Sequence, residues 1–288
     1  MLKSILIVTI SVLNLEPVEE AYQAHFDYQL IEQSVVSEEL AAVWDTPAMV
    51  GHRYLIMQPA SKDNSFLRFV ESSAVEGYAP MQTYGWNATE LLVTDPDALA
   101  ERLGDSPFEI VGPPKDLWAA ENAPRAMQVI GPGNELLYLT RNNNFEIRTA
   151  VDRVFIMVVG GPSMATLSEF YSDRMGLGVG EATPFQISVI SRAQGLPMDT
   201  TYPLAVARIS DRFLIELDEY PAVARARPIA DGELPPGVAM VTFEADDLAA
   251  LNASWRADAK AIQAAPYNGR RAAVTVGPAG EWIEVIEN

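Results

Sequence analysis

Gly131-Pro132-Gly133-Asn134-Glu135-Leu136-Leu137-Tyr138-Leu139-Thr140-Arg141-Asn142 returns at the end of the chain as Gly277-Pro278-Ala279-Gly280-Glu281-Trp282-Ile283-Glu284-Val285-Ile286-Glu287-Asn288. Each copy is a Gly-Pro turn feeding a short strand. Two further matches run in the same order. Val18-Glu19-Glu20-Ala21-Tyr22 answers to Leu167-Ser168-Glu169-Phe170-Tyr171, each early in an amphipathic helix. Phe66-Leu67-Arg68-Phe69-Val70-Glu71 answers to Phe213-Leu214-Ile215-Glu216-Leu217-Asp218. The offsets are 146, 149 and 147 residues. Three matches at one spacing mark a duplication. Its joint lies near Asn142–Val151, where Asn142-Asn143-Asn144 reads as a linker.

Within each half a finer unit repeats: strand, helix, then three strands. The first strand spans Ser4–Val12, and Asn14-Leu15-Glu16-Pro17 starts the first helix. Lys3 ahead of Ile5–Leu13 also has the outline of a signal peptide. No small-residue cleavage site follows, however, and the run is β-branched like a buried strand. A second unit starts with strand Glu90–Val93, a third with Arg153–Val159 and a fourth with Val238–Glu244. The helices expected for the last two are Thr166–Met175 and Asp247–Trp255. The expected organisation is an N-terminal domain, residues 1–146 (units 1–76 and 77–146), and a C-terminal domain, residues 147–288 (units 147–230 and 231–288). The fold class is α+β: tandem paired βαβββ modules, each pair curling a mixed sheet around a cavity.

Composition narrows the function. Among 288 residues, 20 Lys and Arg face 39 Asp and Glu, a formal charge of −19. Such a chain repels phosphate backbones and anionic lipid surfaces, so neither nucleic acid nor membrane is an expected partner. Cysteine is absent, which excludes disulfides, thiolate metal sites and cysteine nucleophiles. Only His25 and His52 are present, too few for a three-histidine centre. No run reaches the ~20 apolar residues of a membrane helix, and the expected location is the cytoplasm.

With the motifs Asn14-Leu15-Glu16 and Ala21-Tyr22, Val241-Thr242-Phe243-Glu244-Ala245-Asp246-Asp247-Leu248, and Gly277 to Glu284, the chain resembles the vicinal oxygen chelate superfamily. That group holds glyoxalase I, bleomycin-resistance proteins, fosfomycin-resistance enzymes and type I extradiol dioxygenases. The resemblance covers essentially the whole chain in the four-unit layout. It implies a cavity in each pair of units, with a divalent metal held by His or Gln from first strands and Glu from fourth strands. In the first half those positions fall near Ile7, Phe69, Ala88 and Tyr138, none an ordinary ligand. In the second half they fall at Phe155 or Ile156, Met240, Glu216 and Glu284. Both carboxylates are present and both nitrogen ligands are missing, which disfavours an extradiol dioxygenase.

If the halves pair as the resemblance implies, Glu216 and Glu284 face one another with Met240, Phe155 and Trp282 nearby. Two carboxyls in an apolar cavity share a proton and form a general acid beside a general base. The same residues could instead present to solvent. The expected function is therefore an enzyme of lyase or isomerase type, acting on a small apolar or aromatic molecule without the usual metal ligands. The alternative is a non-catalytic binding or sequestering protein of the bleomycin-resistance kind. A third reading keeps a divalent metal on Glu216 and Glu284, with Gln186 as a further ligand. No cofactor is expected, and a homodimer is one assembly the resemblance allows. Tyr138, Arg68 and His52 complete the candidate substrate-binding set: a phenol donor, a carboxylate clamp and a strand-end base. For Arg68 and His52 the plainer readings are an ion pair on an exposed face and a structural hydrogen bond. Trp44 is expected in a packed loop, or a lid.

Overall fold

The computed structural model describes residues 1–288. Unit one comprises β1 (Leu2–Val12), α1 (Leu15–Phe26), β2 (Gln29–Val35), α2 (Glu38–Trp44), β3 (Arg53–Gln58) and β4 (Phe66–Glu71). Unit two comprises β5 (Gly85–Val93), α3 (Pro96–Leu103), β6 (Glu109–Asp116), β7 (Arg125–Ile130) and β8 (Leu136–Arg141). Unit three comprises β9 (Val151–Gly161), α4 (Met164–Glu169), β10 (Gly178–Val179), β11 (Thr183–Gln186), α5 (Ser188–Ala193), β12 (Thr201–Arg208) and β13 (Leu214–Glu219). Unit four comprises β14 (Gly237–Ala245), β15 (Lys260–Ala261), β16 (Arg271–Val276) and β17 (Trp282–Glu287).

Each first strand passes into its helix through a capping side chain. Asn14 accepts from the Glu16 amide, Asp95 from Asp97 and Ala98, and Ser163 from Thr166. A cap at this point satisfies an amide that the first helical turn leaves without a partner. α4 runs on into a π-turn over Phe170–Arg174. In unit four the expected helix shrinks to a single 3-10 turn, Leu248–Ala250, capped by Asp247. The chain beyond it bonds to its neighbours instead: the Asn252 amide donates to the Arg174 carbonyl and the Arg256 amide to that of Val274.

The strand order corrects the expected domains. One sheet runs β15-β16-β17-β14-β1-β4-β3-β2 and the other β10-β12-β13-β9-β5-β8-β7-β6. Unit one therefore pairs with unit four through antiparallel β1 and β14, and unit two with unit three through antiparallel β5 and β9. Neither 1–146 nor 147–288 closes a cavity by itself. In every unit the fourth strand lies parallel to the first, so these four strands make the floor of each curved sheet. The backs of both sheets and helices α1, α3 and α4 bury one core, with Val8, Tyr22, Leu91, Met157, Leu217 and Ile283 among its members. Trp86 ties the sheets together by donating from Nε1 to the Trp282 carbonyl at 2.7 Å.

The repeated motif has a structural use. Tyr22 Oη donates to Glu135 Oε1 at 2.7 Å, and Tyr171 Oη to Glu281 Oε1 at 3.1 Å. Each bond joins the helix of one unit to the Gly-Pro turn of the unit that follows in sequence. The carboxylate folds back onto the turn's glycine: a Cβ on Gly131 would sit 1.9 Å from Glu135 Oε1, and one on Gly277 2.0 Å from Glu281 Oε1. Burial pushes both carboxyls up to about 7.

Candidate functional site

The first cup, between units one and four, is filled. α2 lies in it, placing Trp44 against Ile7, Met49, Met240, Tyr267 and Trp282 in one apolar cluster. At its floor Arg68 on β4 and Glu284 on β17 form an ion pair at 3.5 Å, with 1% and 0% of their side chains exposed. Arg68 donates from Nε and Nη2 to Thr9 Oγ1 and from Nη1 to Tyr267 Oη at 2.7 Å. Its guanidinium lies over the Trp44 ring at 4.6 Å. Glu284 accepts from Trp44 Nε1 at 2.9 Å, Thr242 Oγ1 at 2.6 Å and Tyr267 Oη. A buried pair survives only when its remaining lone pairs and protons are satisfied in this way.

Several expectations are corrected here. Glu284 and Glu216 lie in different sheets, so they neither share a proton nor a metal. Met240 and Trp282 pack the first cup and are not beside Glu216. Arg68 is a buried structural cation, and it is Arg68, not Phe69, that stands opposite Thr9 as Glu284 stands opposite Thr242. Phe69 points into the core behind the sheet. Trp44 is neither loop nor lid; it ends α2 inside the cup. His52 is half-buried at the start of β3, its Nδ1 bonded to the Glu71 carbonyl at 2.8 Å, in an open groove away from either cup. His25 is half-buried at the end of α1, edge-on to the Phe108 ring.

The second cup, between units two and three, is chemically different. Glu90 on β5, Tyr138 on β8 and Glu216 on β13 line a cleft of about 60 Å³ together with Gln128. Strand β9 separates the two glutamates, with Ile156 beside Glu90 and Val158 beside Glu216. Phe155, the other expected wall residue, does not reach the cleft. It sits at a bulge in the β5–β9 ladder, and its ring packs on Phe145 at 5.2 Å. Leu117, Phe185, Ile187 and Val189 wall the cleft, and Lys115, Gln186 and Ser188 border its mouth. The covering segment, β11 and α5, is anchored at its end by Gln194, which donates to the Met81 carbonyl, and by Gln82, which donates to the Ala193 carbonyl.

Asp218 lies two residues beyond Glu216 on the same face of β13, since strand side chains alternate. It is fully buried, and neither carboxyl oxygen has a protein partner; the hydroxyls of Tyr138 and Tyr220 have none either. Glycine brings Tyr220 into this cup: a Cβ on Gly160 would lie 2.4 Å from its ring. Tyr202 Oη reaches Ser191 Oγ at 3.1 Å. Glu90 accepts from Thr140 Oγ1 at 2.5 Å.

These carboxyls are all shifted toward their protonated forms. Burial, followed by the charge of Glu216, raises Glu90 to about 8. Burial raises Glu216 to about 7. Burial and then Glu216 push Asp218 well above the carboxylate range. No cation compensates at the floor, because the one lysine of the cleft is at its mouth. Near neutrality the cluster shares protons among several acids, the condition for a group that both gives and takes one. Glu90 and Asp218 were absent from the sequence-based set. Their signals are Glu90 within the otherwise apolar end of β5 and the alternation Glu216-x-Asp218.

By the register that sets Arg68 opposite Thr9 and Glu284 opposite Thr242, the metal positions of the second cup are Glu90, Tyr138, Val158 and Glu216. Val158 has no donor atom and Tyr138 offers only a phenol, and no three His, Asp or Glu side chains of the chain converge to hold an ion. This donor set does not fit the usual divalent metal, with or without Gln186, whose Nε2 donates to the Asp199 carbonyl at 3.4 Å.

No protein-family model matches the chain, and no curated protein matches its sequence. Among solved structures, glyoxalase I from Zea mays superposes with a TM-score of 0.67 and 13% identity, covering 98% of this chain and 92% of that one. A candidate dioxygenase from Bacillus subtilis superposes with a TM-score of 0.61 and 12% identity, covering 99% of this chain and 85% of that one. The chain shares the fold of these structures, with paired α+β modules in two similar halves. No helix is long and apolar enough to cross a membrane.

Proposed function

We propose that the second cup binds a small organic molecule and moves a proton on it, with Glu216 as the group that exchanges the proton and Glu90 as the acid that holds the second one. The observation behind this reading is the pair of carboxyls titrating near neutrality at the floor of a cleft, backed by Asp218 and two phenols without partners. A base that abstracts a proton at neutral pH works best with its own affinity close to that pH. The size of the cleft favours a small substrate or one small group of a larger one. Its apolar walls favour an uncharged body, and its floor a carbonyl or hydroxyl that can bond to an acid. Lyase or isomerase chemistry fits this arrangement.

A second reading, a binding protein without turnover, is favoured by one feature: the cleft floor has no fixed cation to stabilise a developing oxyanion. One experiment separates the two. Small ketones and hydroxy ketones are incubated with the protein in D2O, and deuterium uptake at carbon is followed by NMR. Uptake that falls at least about 100-fold in Glu216→Gln while binding persists supports proton transfer. Binding with no uptake by the wild type leaves the binder, and equal uptake by the two proteins contradicts the role of Glu216.

A further inference from the structure

We propose that the joint between units two and three carries a second binding pocket, for a small organic monocarboxylate, with the Arg153 guanidinium as its anchor. The pocket, about 400 Å³, lies between the linker, with Asn144, Phe145 and Arg148, and the β12–β13 hairpin, with Arg212. Arg153 opens β9 at its base and is 3% exposed. Its Nη1 donates to the carbonyls of Val154 at 3.1 Å and Arg212 at 3.0 Å. Its Nε and Nη2 have no protein acceptor, and no carboxylate pairs with it. The rings of Phe145 and Phe213 flank the guanidinium at 5.7 Å and 5.2 Å, holding it in place.

The surrounding charges show that this is not a shared network. Arg148 and Arg212 both pair with Asp63 Oδ2, and Arg148 also lies 3.9 Å from Asp152. Asp152 is otherwise engaged by the Arg148 amide and Ser61 Oγ. Two arginines and two aspartates thus satisfy one another, and Arg153 is left over. A buried guanidinium without an anion is costly, and the free Nε–Nη2 edge is the fork that receives a carboxylate with two parallel bonds. Glu146 and Asp211 stand at the mouth, Asp211 beside Arg208 at 3.7 Å. Those acids and the overall charge of −19 select against polyanions, so one carboxylate on an uncharged body is the ligand that fits. The flanking phenylalanines favour an aromatic or aliphatic body.

The test uses the full chain with benzoate, its neutral counterpart benzamide, and inorganic phosphate, read by calorimetry and by the Arg153 Nε–H resonance. Benzoate is expected to bind and to shift that resonance, with benzamide and phosphate at least about tenfold weaker. Arg153→Gln is expected to abolish the preference for benzoate over benzamide, and Arg153→Lys, which keeps charge without the fork, to restore only part of it. Should either variant fail to fold, the wild-type resonance decides. An unmoved Arg153 signal, or equal binding of benzoate and benzamide, overturns the proposal, as does an unchanged preference in Arg153→Gln.

Discussion

The two cups have the same plan, four floor strands with a short helix laid over them, and opposite electrostatics. The first places Arg68 against Glu284 and surrounds them with Thr9, Thr242, Trp44 and Tyr267, so the donors and acceptors are matched. The second places Tyr138 against Glu216 at the corresponding positions, has Glu90 and Val158 where the first has Thr9 and Thr242, adds Asp218, and supplies no cation. The first solution stabilises; the second stores acids whose proton affinity is raised toward neutral pH. Matched polar groups make a core, whereas unmatched ones mark the place where a ligand supplies the missing partners.

This contrast can be broken most forcefully at Arg68. Arg68→Met leaves Glu284 buried without its counter-charge and is expected to cost about 3–5 kcal/mol in a denaturant titration at pH 7. An equal loss on replacing Glu216 would erase the distinction between the cups. The opposite sign is expected for Glu90→Gln. A carboxyl whose folded pKa is raised leaves stability unaffected below about pH 4.5, where folded and unfolded chains are both protonated. As pH rises from there to about 8, the unfolded chain ionises first and stability falls. Glu90→Gln removes that loss and is expected to stabilise the protein by about 1–3 kcal/mol at pH 8 and hardly at all at pH 4. Glu135 and Glu281, also raised to about 7, leave a residual slope in the same direction.

A comparable loss is expected on the other side of the second cup. Gly160→Ala forces the Tyr220 ring away and should cost about 1–3 kcal/mol in thermal unfolding, with a change in the Tyr220 environment by NMR. The smallest effect concerns the cover of the first cup. Ser37 Oγ accepts from the Leu40 amide at 3.2 Å and caps α2, so Ser37→Ala should cost about 1 kcal/mol and leave ligand binding in the second cup unchanged.

The duplication, the four first strands and the helix start at Asn14 were legible in the sequence because local chemistry decides them. So was the place of Glu216 on a fourth strand. The partner of each unit was not. All four first strands are largely apolar, so their edges look alike, and only the assembled core selects β1 for β14 and β5 for β9. That choice separated Glu216 from Glu284 and removed Met240 and Trp282 from the site. Helices α2 and α5 were missed as short insertions whose pattern is too brief to read. Glu90 and Asp218 were missed because a glutamate or aspartate in an alternating strand reads as a solvent-facing residue. For Arg68 an exposed ion pair stood beside the carboxylate clamp for the same reason, although Phe66, Leu67, Phe69 and Val70 around it are all buried.

The most direct measurement is a crystallographic screen of small carbonyl and hydroxy fragments at neutral pH, compared in both cups. Fragment density against Glu90, Tyr138 and Glu216, with Trp44 still bonded to Glu284, is the result expected. Density that displaces Trp44 and contacts Arg68 or Glu284, while the second cup stays unchanged, would contradict the assignment of the site.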